Sequence, residues 1–257
     1  MPLDLKTDGH VHCKLCHHAV GEMEEYVLAA CERGLERLVF LEHFEAGINY
    51  FETTWLTRAD FDVYFATGRQ LQERYRGRID IGLGVEVGYN PERVAETVSF
   101  INEYQWDRIG LSYHFLGQGE RHLNMLTRKP EKIAEFNTIG VAEALRLYLE
   151  GLRQAVSEIP ATVLCHLDAA LRHHPELEFS PSHQQQMLAL VDALAYRGMA
   201  LEINTSGFDH RRQQPYPPSW LIKRAGAQGV ELVLGSDAHR PQDVGRYFER
   251  VPLWLAE

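Results

Sequence analysis

Six short apolar runs in this chain of 257 residues end in side chains that can bind a metal. The terminal residues are His10 and His12, His43, Glu86, His114, His166, and Asp237 with His239. Imidazole nitrogens and carboxylate oxygens are ligands for zinc, iron and manganese. One such histidine alone is more often a satisfied polar residue or a cap than a ligand. The pair His10 and His12 is stronger, because residues i and i+2 of a strand project to the same side. The full set is stronger still, since buried charges need partners and packing alone gives no reason to gather them.

The segment VHCKLCHH (11–18) holds two cysteines and three histidines. Cys13, Cys16 and His17 match the haem-attachment pattern CxxCH, or half of a zinc ribbon. A ribbon needs a second knuckle, and Cys31 and Cys165 stand alone. Haem attachment needs export, and the N-terminal MPLDLKTDGH has no apolar signal core. A cytoplasmic location with free thiols is expected. Cys31 fits a helix core stripe, and Cys165 falls in a strand beside His166. Cys13 and Cys16 read first as incidental, with a reactive thiol or minor ligand as the alternative.

The elements that must position these residues alternate. The seven runs cover 3–12, 37–43, 79–86, 107–114, 161–166, 199–204 and 231–239, each short and apolar like strands buried on both faces of a parallel sheet. Helix patterns span 21–34, 90–104, 131–157 and 180–198. The second opens with Asn90 at the cap and Pro91 in the first turn. The third is two helices or one interrupted at Gly140. This order predicts an α/β fold, a distorted (β/α)7 TIM-like barrel forming one domain over 1–257. No Gly-rich fingerprint follows the first strand, which disfavours a dinucleotide-binding sheet. In such barrels the C-terminal strand ends form the active face, so the metal-competent residues converge on one mouth.

The formal net charge is −10, which argues against a broad basic surface for nucleic acid. No run is long enough for a membrane span. His122, His173, His174, His183 and His210 fall in loops or helix starts and read as solvated residues, His210 least firmly.

Eight segments together resemble one family: DGHVH (8–12), His18 followed by AVGEMEEYVLAA, LEH (41–43), GLGVEVGYNP (82–91), SYHFLG (112–117), CHLD (165–168), EINTSG (202–207) and GSDAHRPQDVG (235–245). The chain resembles the polymerase and histidinol phosphatase (PHP) superfamily, and within it the histidinol-phosphate phosphatases. The resemblance implies a distorted seven-unit barrel and three divalent metal ions, zinc, iron or manganese. It implies one metal on His10, His12, Glu86 and Asp237, a second on Glu86, His114 and His166, and a third on His18, His43 and His239. His18, not His17, is the implied ligand. It also implies a small phosphorylated substrate, L-histidinol phosphate, cleaved to the alcohol and phosphate. Arg172, with Arg211 or Arg212, is expected to grip the phosphate, and Asp168 or His210 to protonate the leaving oxygen. Glu42 stands where many relatives have Asp. A nucleotide phosphoesterase, an amidohydrolase-like hydrolase and a haem or metal carrier are the alternatives. Oligomeric state is not set by the sequence.

Overall fold

A computed structural model describes residues 3–256. Seven parallel strands form one sheet: β1 (Thr7–Val11), β2 (Arg37–Glu45), β3 (Asp80–Gly88), β4 (Ile109–Ser112), β7 (Val163–Leu164), β8 (Ala200–Asn204) and β9 (Leu232–Gly235). The sheet curls into a nearly closed barrel. Its edges meet where Val11 bridges Ala238, with His12 N–H donating to Ala238 O and Asp237 N–H to His10 O, both at 2.9 Å. Between β4 and β7 an antiparallel hairpin, β5 (Phe115–Gln118) and β6 (Arg121–Asn124), rises from the mouth. The sequence pattern gave no sign of it.

Helices wrap the outside: α1 (Met23–Glu32), α2 (Arg58–Arg74), α3 (Val94–Glu103), α4 (Pro130–Ala134), α5 (Val141–Glu158), α6 (Pro181–Arg197), α7 (Ser219–Ala227) and α8 (Arg250–Ala256). The longer ones bury a stripe at helical spacing. In α5 that stripe is Ala144, Leu145, Tyr148, Leu149, Leu152, Ala155 and Val156. In α6, Ser180 accepts from His183 N–H, Pro181 opens the first turn, and Gly198 closes the helix at φ 64°. The interruption at Gly140 is real: φ is 87° there, and α5 begins at the next residue.

Two expectations need correction. Asn90 does not cap α3, which starts at Val94 after Arg93. Its side chain instead closes a turn, accepting from Glu92 N–H and donating to Ala46 O. His174 and His183 are not solvated residues, being only 3% exposed. His183 completes the α6 cap and contacts Ala142 O at 3.0 Å, while His174 contacts Asn137 Oδ1 at 3.0 Å. No described helix is long and apolar enough to cross a membrane.

Candidate metal centre

Strand register gathers the ligands. His43 on β2 lies beside Glu86 on β3, and Glu86 lies beside Gly110 on β4. The ends of β1 and β7 and the turn after β9 bring His10, His12, His166 and Asp237 to the same level. Two of these residues hold backbone conformations that L-amino acids rarely adopt, His166 at φ 24° and Asp237 at φ 50°. Such local strain persists only where surrounding structure enforces it, and it concentrates at functional sites.

Four donor atoms surround one point. His10 Nε2 lies 2.9 Å from His12 Nε2 and 3.3 Å from Glu86 Oε2, while Asp237 Oδ1 lies 3.4 Å from His12 Nε2 and 3.8 Å from His10 Nε2. Ligands about 2.0–2.1 Å from a tetrahedral ion stand roughly 3.4 Å apart, so the spacing suits one cation. The other oxygen of Glu86 faces a second group: Oε1 is 2.8 Å from His166 Nε2 and 3.3 Å from His114 Nε2. Glu86 therefore presents one oxygen to each group and also accepts from Ser112 Oγ. The carboxylate is fully buried. Burial opposes its charge, yet His10, His43 and His114 outweigh that and hold its pKa well below normal.

Carboxylates orient the inner rings from behind. His10 Nδ1–H donates to Glu202 at 2.6 Å, and His114 Nδ1–H to Glu45 at 2.7 Å. Each bond fixes the tautomer that leaves Nε2 for a metal and makes the ring more basic. Both carboxylates lean over a glycine. A Cβ on Gly235 would sit 2.1 Å from Glu202 Oε1, and one on Gly88 would sit 1.8 Å from Glu45 Oε2. Alanine fits at neither position without displacing the carboxylate. Glu45 and Glu202 were missed in the sequence, although a lone acid inside the apolar strand ALEIN was a usable signal.

A third group lies farther out on loops. His18 Nε2 and His239 Nε2 are 2.8 Å apart. Their Nδ1–H groups donate to Cys16 O at 2.9 Å and Asp237 O at 3.0 Å. Carbonyls only accept, so each Nε2 bears its lone pair. Burial, with help from neighbouring histidines, lowers His18 to about 3, although one edge of its ring faces solvent. Burial likewise takes His239 to about 4, against the pull of Asp237. Both rings are then neutral at pH 7, and two lone pairs meet at hydrogen-bond distance without a proton between them. That arrangement fits a cation. The His43 ring is 5.1 Å from that of His18, and its buried Nε2 lacks a hydrogen-bond partner. His17, at φ 66°, turns outward and is exposed.

Above the cluster opens a cavity of about 920 Å³. Arg172, Arg128, Arg240 and Arg246 converge on it. Arg246 is spent on Asp209 and Ser236 O. Arg172 keeps Nε and Nη1 buried without partners. Burial and the other guanidiniums depress the pKa of Arg128, as expected of cations crowded around a place for an anion. Arg240 directly follows His239, so the sequence did mark it; Arg128 is carried in by the hairpin excursion and left no signal. Arg211 reaches the wall but donates to Pro175 O.

Two of the expected site residues fall elsewhere. Asp168 and Arg212 are not cavity-lining groups. They pair at 2.6 Å, with Arg212 stacked over Phe179 and Tyr216. Asp168 is fully buried, and its charge is used in holding that guanidinium. His210 does line the cavity, with Tyr216 Oη 3.0 Å from Nδ1. Burial and then Arg172 lower it to about 3.

The PHP domain family model matches residues 8–206, which carry all the donors named above except Asp237 and His239. The chain belongs to the PHP domain family. Among PHP relatives, a Deinococcus radiodurans protein named "Probable histidinol-phosphatase" is 30% identical over 94% of this chain and 89% of its own length. The histidinol-phosphatase of Bacillus subtilis is 28% identical over 95% of this chain and 97% of its own. The PHP fold here also matches the crystal structure of histidinol phosphate phosphatase from Lactococcus lactis, complexed with zinc, L-histidinol and phosphate. That match has a TM-score of 0.79 and 23% identity, and covers 98% of this chain and 92% of the other. The donor set of this PHP chain is one for divalent metal.

Proposed function

We propose that the chain is a metal-dependent phosphomonoesterase that hydrolyses L-histidinol phosphate to L-histidinol and phosphate. The observation that carries the reaction class is a carboxylate, Glu86, shared between two imidazole groups beneath a cavity into which Arg172 brings unpartnered nitrogens. The names of the PHP relatives support the substrate.

The metal reading is three divalent ions, zinc, iron or manganese. His10, His12, Glu86 and Asp237 would hold one, Glu86, His114 and His166 the second, and His18, His43 and His239 the third. Bound there, such ions supply Lewis acidity that activates water and neutralises a phosphate dianion. The chain's own groups do the rest. Arg172, with Arg128 and Arg240 beside it, grips phosphate oxygens through charge-assisted hydrogen bonds. Arg211 stands farther along the same wall. His210 gives a proton to the leaving oxygen. Burial and then Arg172 keep that imidazole neutral in the free protein; an arriving dianion offsets the Arg172 charge, so the ring takes up the proton it donates together with the substrate.

The test is phosphate release by the fully metallated protein from L-histidinol phosphate, compared with nucleoside monophosphates and phosphodiesters. Preference for L-histidinol phosphate, lost on chelation, is expected; no cleavage of it by metallated protein removes the substrate assignment. Arg172→Ala should lower kcat/KM by about 10–100-fold, the worth of a charged hydrogen bond of about 1.5–3 kcal/mol. His210→Asn should cut kcat about 100-fold on the alkyl ester. It should spare p-nitrophenyl phosphate, whose leaving group needs no proton.

A further inference from the structure

We propose that Cys16 supplies a thiolate ligand to the cation held by His18 and His239, so that this outer site selects a borderline-soft divalent ion such as zinc or cobalt. The inference rests on the third metal of the preceding reading. The ligand atoms of Cys16, His18 and His239 all lie within 4.8 Å of one another. Cys16 is fully buried at the end of a short 3-10 turn, Lys14–Cys16. His17 follows in the left-handed conformation, which reverses the chain there. Cys16 is buried beneath the turn, and His18, though exposed, brings its Nε2 to 2.8 Å from His239 Nε2. The turn is pinned to the metal group itself, because Cys16 O accepts the Nδ1–H of His18.

A second observation points to the same place. His43 is more than nine-tenths buried, its Nε2 has no hydrogen-bond partner, and it groups with His239 and His12 within the same 4.8 Å limit. Three imidazoles and one sulfur would close a tetrahedral shell. A shell of four protein ligands has no open position, which is the form of a structural zinc site. His18, His43 and His239 stand in the cavity wall beside His114, His166 and Asp237, so sulfur in the fourth position is what would close this site to substrate. A coordinating divalent ion deprotonates a thiol outright, so the proton leaves to solvent as the sulfur–metal bond forms. A thiolate donor also favours zinc over manganese or magnesium.

The experiment is titration of metal-free protein with Co2+ while recording its absorption spectrum. A thiolate-to-cobalt charge-transfer band should appear in the near ultraviolet. It should grow with the equivalent of cobalt that His18→Ala fails to bind, vanish in Cys16→Ser and persist in Cys13→Ser. The wild-type spectrum decides without any variant: three equivalents bound with no charge-transfer band overturns the proposal and leaves the three-metal reading intact. A band that survives in Cys16→Ser overturns it as well. Uptake of only two equivalents by the wild type removes the third metal, and this proposal with it.

Discussion

The inner and outer histidines of this PHP chain are oriented by different acceptors, and the contrast teaches what each group is suited to do. His10 and His114 end rigid strands and give their Nδ1–H to carboxylates, Glu202 and Glu45. His18 and His239 sit on loops and give theirs to backbone carbonyls. A carboxylate raises ring basicity more than a carbonyl does. Burial lowers the pKa of every one of these rings, but the acids outweigh it inside. His10 is pushed well above its normal value and His114 to about 10. Outside, His18 falls to about 3, and His239 falls to about 4 even with Asp237 Oδ1 3.5 Å from its Nδ1, because its hydrogen bond goes to a carbonyl and burial prevails. A metal entering the inner groups must take protons from imidazoles, whereas one entering the outer group meets free lone pairs on both His18 and His239.

The contrast is most severely tested at the shared carboxylate. Glu86→Gln should abolish both inner ions and reduce phosphatase activity by several orders of magnitude, while the outer ion stays; metal analysis beside a rate measurement reads both. Retention of four-fifths of the activity would mean that Glu86 is not shared between ions at all. Next in size is the outer group. His18→Ala should lose one metal equivalent per chain and keep the inner pair, and His17→Ala should keep every equivalent, since that ring faces solvent.

The acceptors behind the rings come third. Glu202→Gln should weaken inner metal affinity about 10–100-fold. Gly235→Ala should do the same with every donor side chain still present, because the added Cβ would take the space of Glu202 Oε1 and crowd His10 Cβ at 2.7 Å. If Gly235→Ala binds metal normally, Glu202 does not orient His10. The smallest effect is on pH dependence. Ligands must be deprotonated to bind, so inner affinity should rise with pH up to about 10, the value for His114. The outer imidazoles should add no slope above about pH 5, higher than the values for His18 and His239, so outer affinity there should rise only with the single proton that the Cys16 thiol releases. Metal titrations across that range, in His18→Ala and in wild-type protein, separate the two slopes.

The strand-end donors were legible because a parallel strand buried on both faces is an apolar run, and a polar residue at its end stands out. The pair His10 and His12 announced its shared side through the period of two. Helix ends were legible at Ser180 and Gly198, where capping chemistry is local. Asn90 misled, since the same side chain that caps a helix also closes a turn, and only the path after it decides between them. His174 and His183 misled because loop position says nothing about what packs over the loop. Arg212 had the right charge at the right distance along the chain, but Asp168 lies nearer to it than the cavity does.

The sequence by itself determined the barrel, the family and the donor types, since periodicity, strand-end chemistry and motif spacing are properties of the chain. Only the tertiary structure decided which oxygen of Glu86 faces which group, which glycines admit Glu45 and Glu202, and which arginine nitrogens remain unpartnered above the donor cluster. Those are contacts between residues tens to hundreds of positions apart, and barrel closure sets their distances. The segment VHCKLCHH divides along the same line. Its letters offered three histidines and two thiols; the fold buries His12, Cys13 and Cys16, and after the left-handed His17 it is His18 whose Nε2 comes to 2.8 Å from His239.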